Sequence, residues 1–267
     1  MGTQQGIYKF TGKVGDMRGY KRSLDTKSKT FVGKSGGPNK TVFSTGPNMG
    51  SNRRNANEFQ GCIGLAFFVF NFLSKVFICK GLDLKTRLFK FYKGQIQNGS
   101  GDWGYRQLLV GTGTPFPVPF QVGRFSIDKV FKHKYTTEVD GTFENWQFHS
   151  VDPVNPSDLA HGPNATHWRI SAAVITVGPW ASTAALNYKY SAIIPGQEVN
   201  RGYWHNAALP LSALPITLNY TFHISTGPMT PGMARYFAVG FETGQMVNGF
   251  FQPDVKYSGS SILKSSW

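Results

Sequence analysis

The chain has 267 residues, with 28 Lys and Arg against 14 Asp and Glu for a net charge of +14, and two cysteines. That length supplies an ample core for one large or two ordinary domains, while Cys62 and Cys79 give no disulfide framework and no sign of an oxidising compartment. Aromatic residues are 15% of the chain and charged residues only 16%, the composition of a protein that buries much surface, some of it against copies of itself.

The positive charge belongs to one end. Residues 1–95 carry 17 Lys and Arg against 4 Asp and Glu, whereas residues 96–267 carry 11 against 10. All six Trp and all six His lie beyond residue 100. The composition changes at GQIQNGSGDWG and GTGTPFPVPFQVG, where Gly, Ser, Asn and alternating Pro predict a Gly/Pro linker over residues 96–119.

Residues 1–56 read as a basic, Gly-rich arm. GIYKFTGKVGDMRGYKRS alternates Ile7, Tyr8, Phe10, Val14 and Tyr20 with Lys and Gly, which predicts a hairpin turning at Gly12 to Gly15. KTFVGKSGGPNKTVFSTGPNMGSNRRN is too rich in Gly, Pro, Ser and Asn to hold a helix and is expected to be an arm or long loop. Lys9, Lys13, Arg18, Lys21, Arg22, Lys27, Lys29, Lys34, Lys40, Arg53 and Arg54 stand against Asp16 and Asp25 alone. With Tyr8, Phe10, Tyr20 and Phe31 between them, they offer phosphate neutralisation and rings for unpaired bases to stack on. The other readings are a solvated tail, or a flap around a neighbouring subunit. Within this arm Gly33, Lys34 and Ser35 imitate the end of a phosphate-binding loop, but Ser28 stands where its first Gly belongs and Gly36, Gly37 and Pro38 prevent the required helix.

The next stretch, NEFQGCIGLAFFVFNFLSKVFICKG, is the most apolar in the chain. Its unbroken apolar run, Cys62 to Phe70, is too short for the roughly 20 residues a membrane span needs, so no span is expected. As a helix it places Gln60, Gly64, Asn71 and Lys75 on a wet stripe, with Phe59, Ile63, Phe67, Phe70, Leu73 and Phe77 opposite. Asn55 or Asn57 caps its start and Gly81 stops it. Phe67, Phe70 and Phe77, together with Trp267, are the expected self-association residues. The two cysteines, about 25 Å apart along one helix, cannot pair there. LKTRLFKFYKGQ predicts a second, basic amphipathic helix with Leu84, Leu88, Phe91 and Tyr92 inward and Lys85, Lys90 and Lys93 outward, so residues 57–95 form a helical element. Residues 1–30 hold no apolar leader segment.

From residue 120 to 267 the pattern turns to β. Runs such as THWRISAAVITV, ALPITLNYTFHIS and ARYFAVGFET, separated by VNPSD, HGPNA and TGPMTPG, predict an antiparallel β-sandwich, jelly-roll or immunoglobulin-like. Pro210 and Pro215 point to an edge strand. His161, His167, His205, His223, Glu138, Asp140 and Glu144 lack diagnostic catalytic or metal-ligand spacing, and Asn39, Asn98, Asn164 and Asn219 are sequons without a secretory context. No enzyme activity, metal or cofactor is expected.

The opening MGTQQGIYKFTGKVGDMRGYK, then GGPNK, then RRNANEF before a helix, resembles a family of small, basic, uncharacterised bacterial and prophage-borne proteins. Gly6, Ile7, Gly12, Lys13, Gly15 and Tyr20 match its first part; Arg54, Asn55, Asn57, Glu58 and Phe59 match the signature that enters a helix. The resemblance covers about 90 residues and implies no established activity. Together these features predict a mainly β, self-assembling structural protein, a coat or capsid subunit whose basic arm contacts nucleic acid without sequence specificity, located in the virion or alternatively the cytoplasm. The rival expectations are a DNA-binding accessory protein of a mobile element and a glycan-binding surface or filament protein.

Overall fold

The structure, a computed structural model, describes residues 2–3, 12–14, 17–21, 30–34, 40–78, 81–111, 115–141, 144–182, 190–192, 201–223, 229 and 232–266. Two compact units divide at Met1–Arg53 and Arg54–Trp267.

The first unit is not a bare arm. Strands β1 (Gly2–Thr3), β2 (Gly12–Val14), β3 (Met17–Lys21) and β4 (Thr30–Lys34) form an antiparallel sheet in the order β1-β4-β3-β2; β2 and β3 pair as neighbours, but Gly12–Val14, expected in the hairpin turn, are strand residues. The Ser- and Asn-rich stretch expected to lack helix contains α1 (Lys40–Thr45) and a 3₁₀ turn at Pro47–Met49. Its turn-forming residues are satisfied inside the helical backbone. Ser44 and Thr45 hydroxyls donate back to the Thr41 carbonyl at 3.1 and 2.9 Å, and Pro47 sits where a helical turn needs no N–H.

In the second unit the helical pair departs from expectation in its bounds. Helix α2 spans Gly50–Val76 and α3 spans Gly81–Gln97, so Gly81 opens the second helix instead of closing the first. Strands follow as β5 (Phe120–Gln121), then the short α4 (Ile127–Val130), β6 (Tyr135–Val139), β7 (Asn145–Ser150), β8 (His167–Val177), β9 (Trp180–Ser182) and β10 (Tyr190–Ala192). The chain continues through β11 (Arg201–His205), β12 (Leu209–Pro210), β13 (Asn219–His223), β14 (Ala234–Val247), β15 (Phe250–Pro253) and β16 (Gly259–Ser266). The protein is mainly β and its sheets are antiparallel. A seven-stranded sheet runs β11-β8-β14-β16-β5, with β12 added to β8 and β15 to β14; a three-stranded sheet runs β13-β7-β6. Pro210 ends the two-residue β12, which pairs with β8, and Leu211–Ala213, between Pro210 and Pro215 where an edge strand was expected, is a 3₁₀ turn.

The long strands β8 and β14 are covered on both faces, and the two-residue period sorts their side chains between two cores. Trp168, Ile170, Val174, Phe237, Val239 and Phe241 share one core with Trp146, Phe148 and Phe222 of the smaller sheet. Trp146 stacks on Phe237 with ring centroids 4.8 Å apart. Ala173, Ile175, Ala234, Tyr236 and Ala238 take the other face and meet α2 and α3 through Leu65, Val69, Leu84, Leu88 and Tyr92. Small residues there let the helices approach closely: a Cβ at Gly240 would lie 2.7 Å from the Phe77 ring.

Described residues of the 96–119 segment enter this helix-facing core. Leu108, Val110 and Phe116 are buried in it, and Leu108 exchanges backbone hydrogen bonds with Trp180 at 2.8 and 3.0 Å. Apolar residues between the Gly and Pro punctuation make this segment a packed connection where a linker was expected. The buried stripe of α2 is also rotated from the expected one. Cys62, Leu65, Ala66, Val69, Phe72 and Leu73 are buried, whereas Phe59 is 50% and Phe67 40% exposed. Apolar residues surround so much of α2 that its periodicity alone does not select the face that meets the sheet. By length and composition Pro47–Val76 could cross a membrane; 39% of its most apolar window is buried in this core.

Candidate functional site

The expected nucleic-acid residues divide between sheet, helix and undescribed segments. Lys9, Arg22, Lys27 and Lys29 lie outside the described residues. On the first sheet, Lys13 is directly opposite Arg18 and Tyr20 directly opposite Phe31. Arg18 and Tyr20 are two apart on β3, so all four positions share one face. Lys21 and Lys34 fall on the other face at opposite ends of the β3–β4 pair. Lys40 is the first residue of α1, whose first turn holds no acid. Arg53 donates to the Gly46 carbonyl at 3.0 Å.

Arg54 belongs to a second constellation, where α2 meets the turn after α3. Its guanidinium lies 5.9 Å from the Trp103 ring centroid, and Trp103 Nε1 donates to Asn55 Oδ1 at 3.1 Å. Asn57 Nδ2 donates to the Gly104 carbonyl at 2.7 Å. Glu58, almost fully buried, accepts from Arg106 through both oxygens at 2.9 and 2.7 Å and from the Gly104 N–H at 2.7 Å. Residues that carry the helix-entry signature thus clasp one turn. Gly104 has φ +96°, and a Cβ there would meet the Arg54 side chain at 2.4 Å, so both backbone and space call for glycine.

This clasp bounds a cavity of about 420 Å³ lined by Asn55, Phe59, Cys62, Lys93, Trp103 and Arg106, among others. Burial would raise the Glu58 pKa, but the Arg106 hydrogen bonds and charge and the Gly104 N–H outweigh it and hold the carboxyl below its ordinary value. Burial, reinforced by the Glu58 charge, pushes the Cys62 thiol up to about 12. A thiol so held is not a nucleophile near neutral pH.

The other chemistry-bearing residues do not converge. His223 pairs with Asn145 Oδ1 at 2.7 Å, His205 stacks on Tyr203, and His161 and His167 bond to Gly162 and Thr166 beside them. Asp140 holds the Glu144 and Asn145 N–H groups of a turn, and Glu138 lies across β6 from Gln147. Among the described residues no three His, Cys, Asp or Glu side chains gather as a metal site requires.

Of the expected self-association residues, Phe77 is buried under the sheet and so presents no contact surface, and Trp267 lies outside the described residues. Phe67 and Phe70 flank Lys85, whose Nζ is 4.4 and 4.3 Å from their ring centroids. The most exposed large apolar side chain among the described residues is Phe250, 75% exposed beside the Asn248-Gly249 turn. Both turn residues have positive φ, 52° and 80°, and the NG pair in QMVNGFFQ is the sequence signal that locates such a hairpin tip. The chain matches no protein-family model, no curated protein and no solved structure.

Proposed function

We propose that this is a non-enzymatic structural protein that self-assembles and binds nucleic acid without sequence specificity, as a coat subunit does. The observation that carries this reading is the first unit. Lys13 and Arg18 oppose each other on a sheet face shared with Tyr20 and Phe31, in a segment whose acids are Asp16 and Asp25 alone. Such a face neutralises phosphates and stacks on bases. Residues 96–267 are nearly neutral, so the excess charge is concentrated in residues 1–95 of the sequence, which suits a chain whose N-terminal part contacts a packaged polyanion. The test is binding of the full-length protein to fluorescently labelled DNA and RNA over a NaCl series. Affinity falls linearly on logarithmic axes as counterions compete; a salt-independent affinity, or none, overturns the reading.

Assembly is supported by apolar surface that a monomer does not use. Phe250, 75% exposed, projects from the β14–β15 hairpin on the face it shares with Val247, while Met246 pairs with Phe251 on the other face. Phe250→Ser is expected to leave thermal stability almost unchanged, since the ring is mostly in water, and to shift the protein from large assemblies to small species in size-exclusion chromatography. An unchanged elution profile removes this hairpin from the assembly.

A further inference from the structure

The groove between α2 and α3 carries a pattern that the basic sheet does not explain. The 420 Å³ cavity at the Trp103 end and an apolar cavity of about 180 Å³ lined by Ile63, Phe67, Lys85 and Phe89 lie along the same helix pair. They are joined by Phe59, which lines the first and packs edge-on against Phe89 of the second at 4.7 Å. From Arg54 to Phe70 the track follows about 24 Å of helix.

Along that track aromatic rings alternate with cations: Arg54 over Trp103, Lys93 at the cavity wall, Lys85 between Phe67 and Phe70. Both acids of α2 and α3 are already committed. Glu58 is held by Arg106, and Asp83 pairs with Arg87 at 3.0 Å. The charge left to face a ligand is therefore positive. Trp103 is 41% exposed, so part of its indole reaches solvent.

We propose that this groove binds single-stranded nucleic acid, with Trp103 as a stacking platform for a base and Arg54 and Lys93 as phosphate contacts. The proposal rests on the nucleic-acid reading above and adds a second, strand-selective surface to it. Alternating rings and cations are what an unpaired strand needs, because each base presents a π face and each linkage a negative charge. A duplex hides its base faces and gains nothing from Trp103. A second copy of this chain would bring its own cations against these.

The experiment compares the full-length protein with Trp103→Ala, Trp103→Phe and Lys93→Glu for binding to labelled oligo(dT) of about 15 nucleotides and to a duplex of equal length. Trp103→Ala is expected to weaken oligo(dT) about tenfold through loss of a stacked base and to change duplex affinity less than twofold, and Lys93→Glu to weaken oligo(dT) by a similar factor through loss of a phosphate contact. Trp103→Phe restores most of the loss, and quenching of tryptophan emission by oligo(dT) falls in Trp103→Ala. Unchanged oligo(dT) binding in Trp103→Ala and Lys93→Glu overturns the groove while leaving the basic sheet standing. Equal losses on both probes in Trp103→Ala also overturn it. Loss in these variants with unchanged binding in Lys13→Glu/Arg18→Glu keeps the groove and removes the sheet. Should the wild type bind neither probe, both readings fall; vesicles of anionic lipid or dimerisation responding to Lys93→Glu in place of oligo(dT) assign the groove to that partner instead.

Discussion

Charge reversal at Lys13 and Arg18 together is expected to lower nucleic-acid affinity by at least tenfold at moderate salt and to reduce the salt dependence by about two contacts' worth. The positions are directly opposed on β2 and β3, so a pair of phosphates approaching that face meets both. In the double variant Lys13→Glu/Arg18→Glu, like charges still oppose each other, and the cross-strand repulsion is the same in size as before. Stability is therefore expected to hold while binding collapses. The single variant Lys13→Glu separates the two quantities further. It places opposite charges across the strands, worth roughly 0.2–1 kcal/mol, so the protein gains stability as it loses affinity. Fluorescence anisotropy over a NaCl series and thermal unfolding of the same samples measure both. Parallel movement of stability and affinity contradicts the assignment of this face to a polyanion.

The second large effect is structural. Glu58→Ala is expected to cost about 3 kcal/mol, at the lower end of the range for removing one partner of a buried ion pair because Arg106 keeps some access to water. Three hydrogen bonds end on the Glu58 carboxylate, and without it the Gly104 N–H loses this acceptor and the Arg106 guanidinium loses two hydrogen bonds while keeping the one to the Gln97 carbonyl. Glu58→Gln preserves volume but not charge and is expected to lie between. The pH dependence has a definite sign. The folded Glu58 pKa lies below its unfolded value, so its stabilisation is present above the unfolded carboxylate range near 4.3 and is lost as pH falls toward the folded pKa. Glu242 behaves oppositely. Burial raises its pKa despite the Arg169 ion pair, so its contribution is present at low pH and is lost as pH rises through the raised value. Denaturant midpoints from about pH 6 to pH 3 are expected to fall less steeply in Glu58→Gln than in the wild type; superimposable profiles contradict the depressed pKa.

The β half was legible because β8 and β14 are written in runs of β-branched and aromatic residues between Gly and Pro turns, and such runs have few alternatives once buried. What the pattern concealed was that both faces of the large sheet are covered. Ala173, Ala234, Ala238 and Gly240 are the residues that admit a helical layer, and small residues in a strand carry no signal that distinguishes a helix neighbour from a turn. The same ambiguity misplaced the face of α2: Phe59 and Phe67 were expected inside with Leu73, but the sheet takes Leu65 and Val69 and leaves the phenyl rings beside α3 and water.

The candidate site was legible only as composition. The cations and aromatics of the first unit were visible, yet the direct opposition of Lys13 to Arg18 depends on where the hairpin turns. The Glu58–Arg106 clasp spans a separation of 48 residues, beyond the reach of any local pattern, and Trp103 sat inside a segment that read as linker. Phe250 was missed although NG before a Phe pair is a strong hairpin-tip signal.

The central claim is tested most directly by negative-stain electron microscopy of the full-length protein purified at low salt, with its absorbance ratio at 260 and 280 nm recorded on the same sample. The account predicts regular assemblies whose ratio exceeds that of protein alone and falls after a high-salt wash. Monomers or dimers with the ratio of pure protein contradict it.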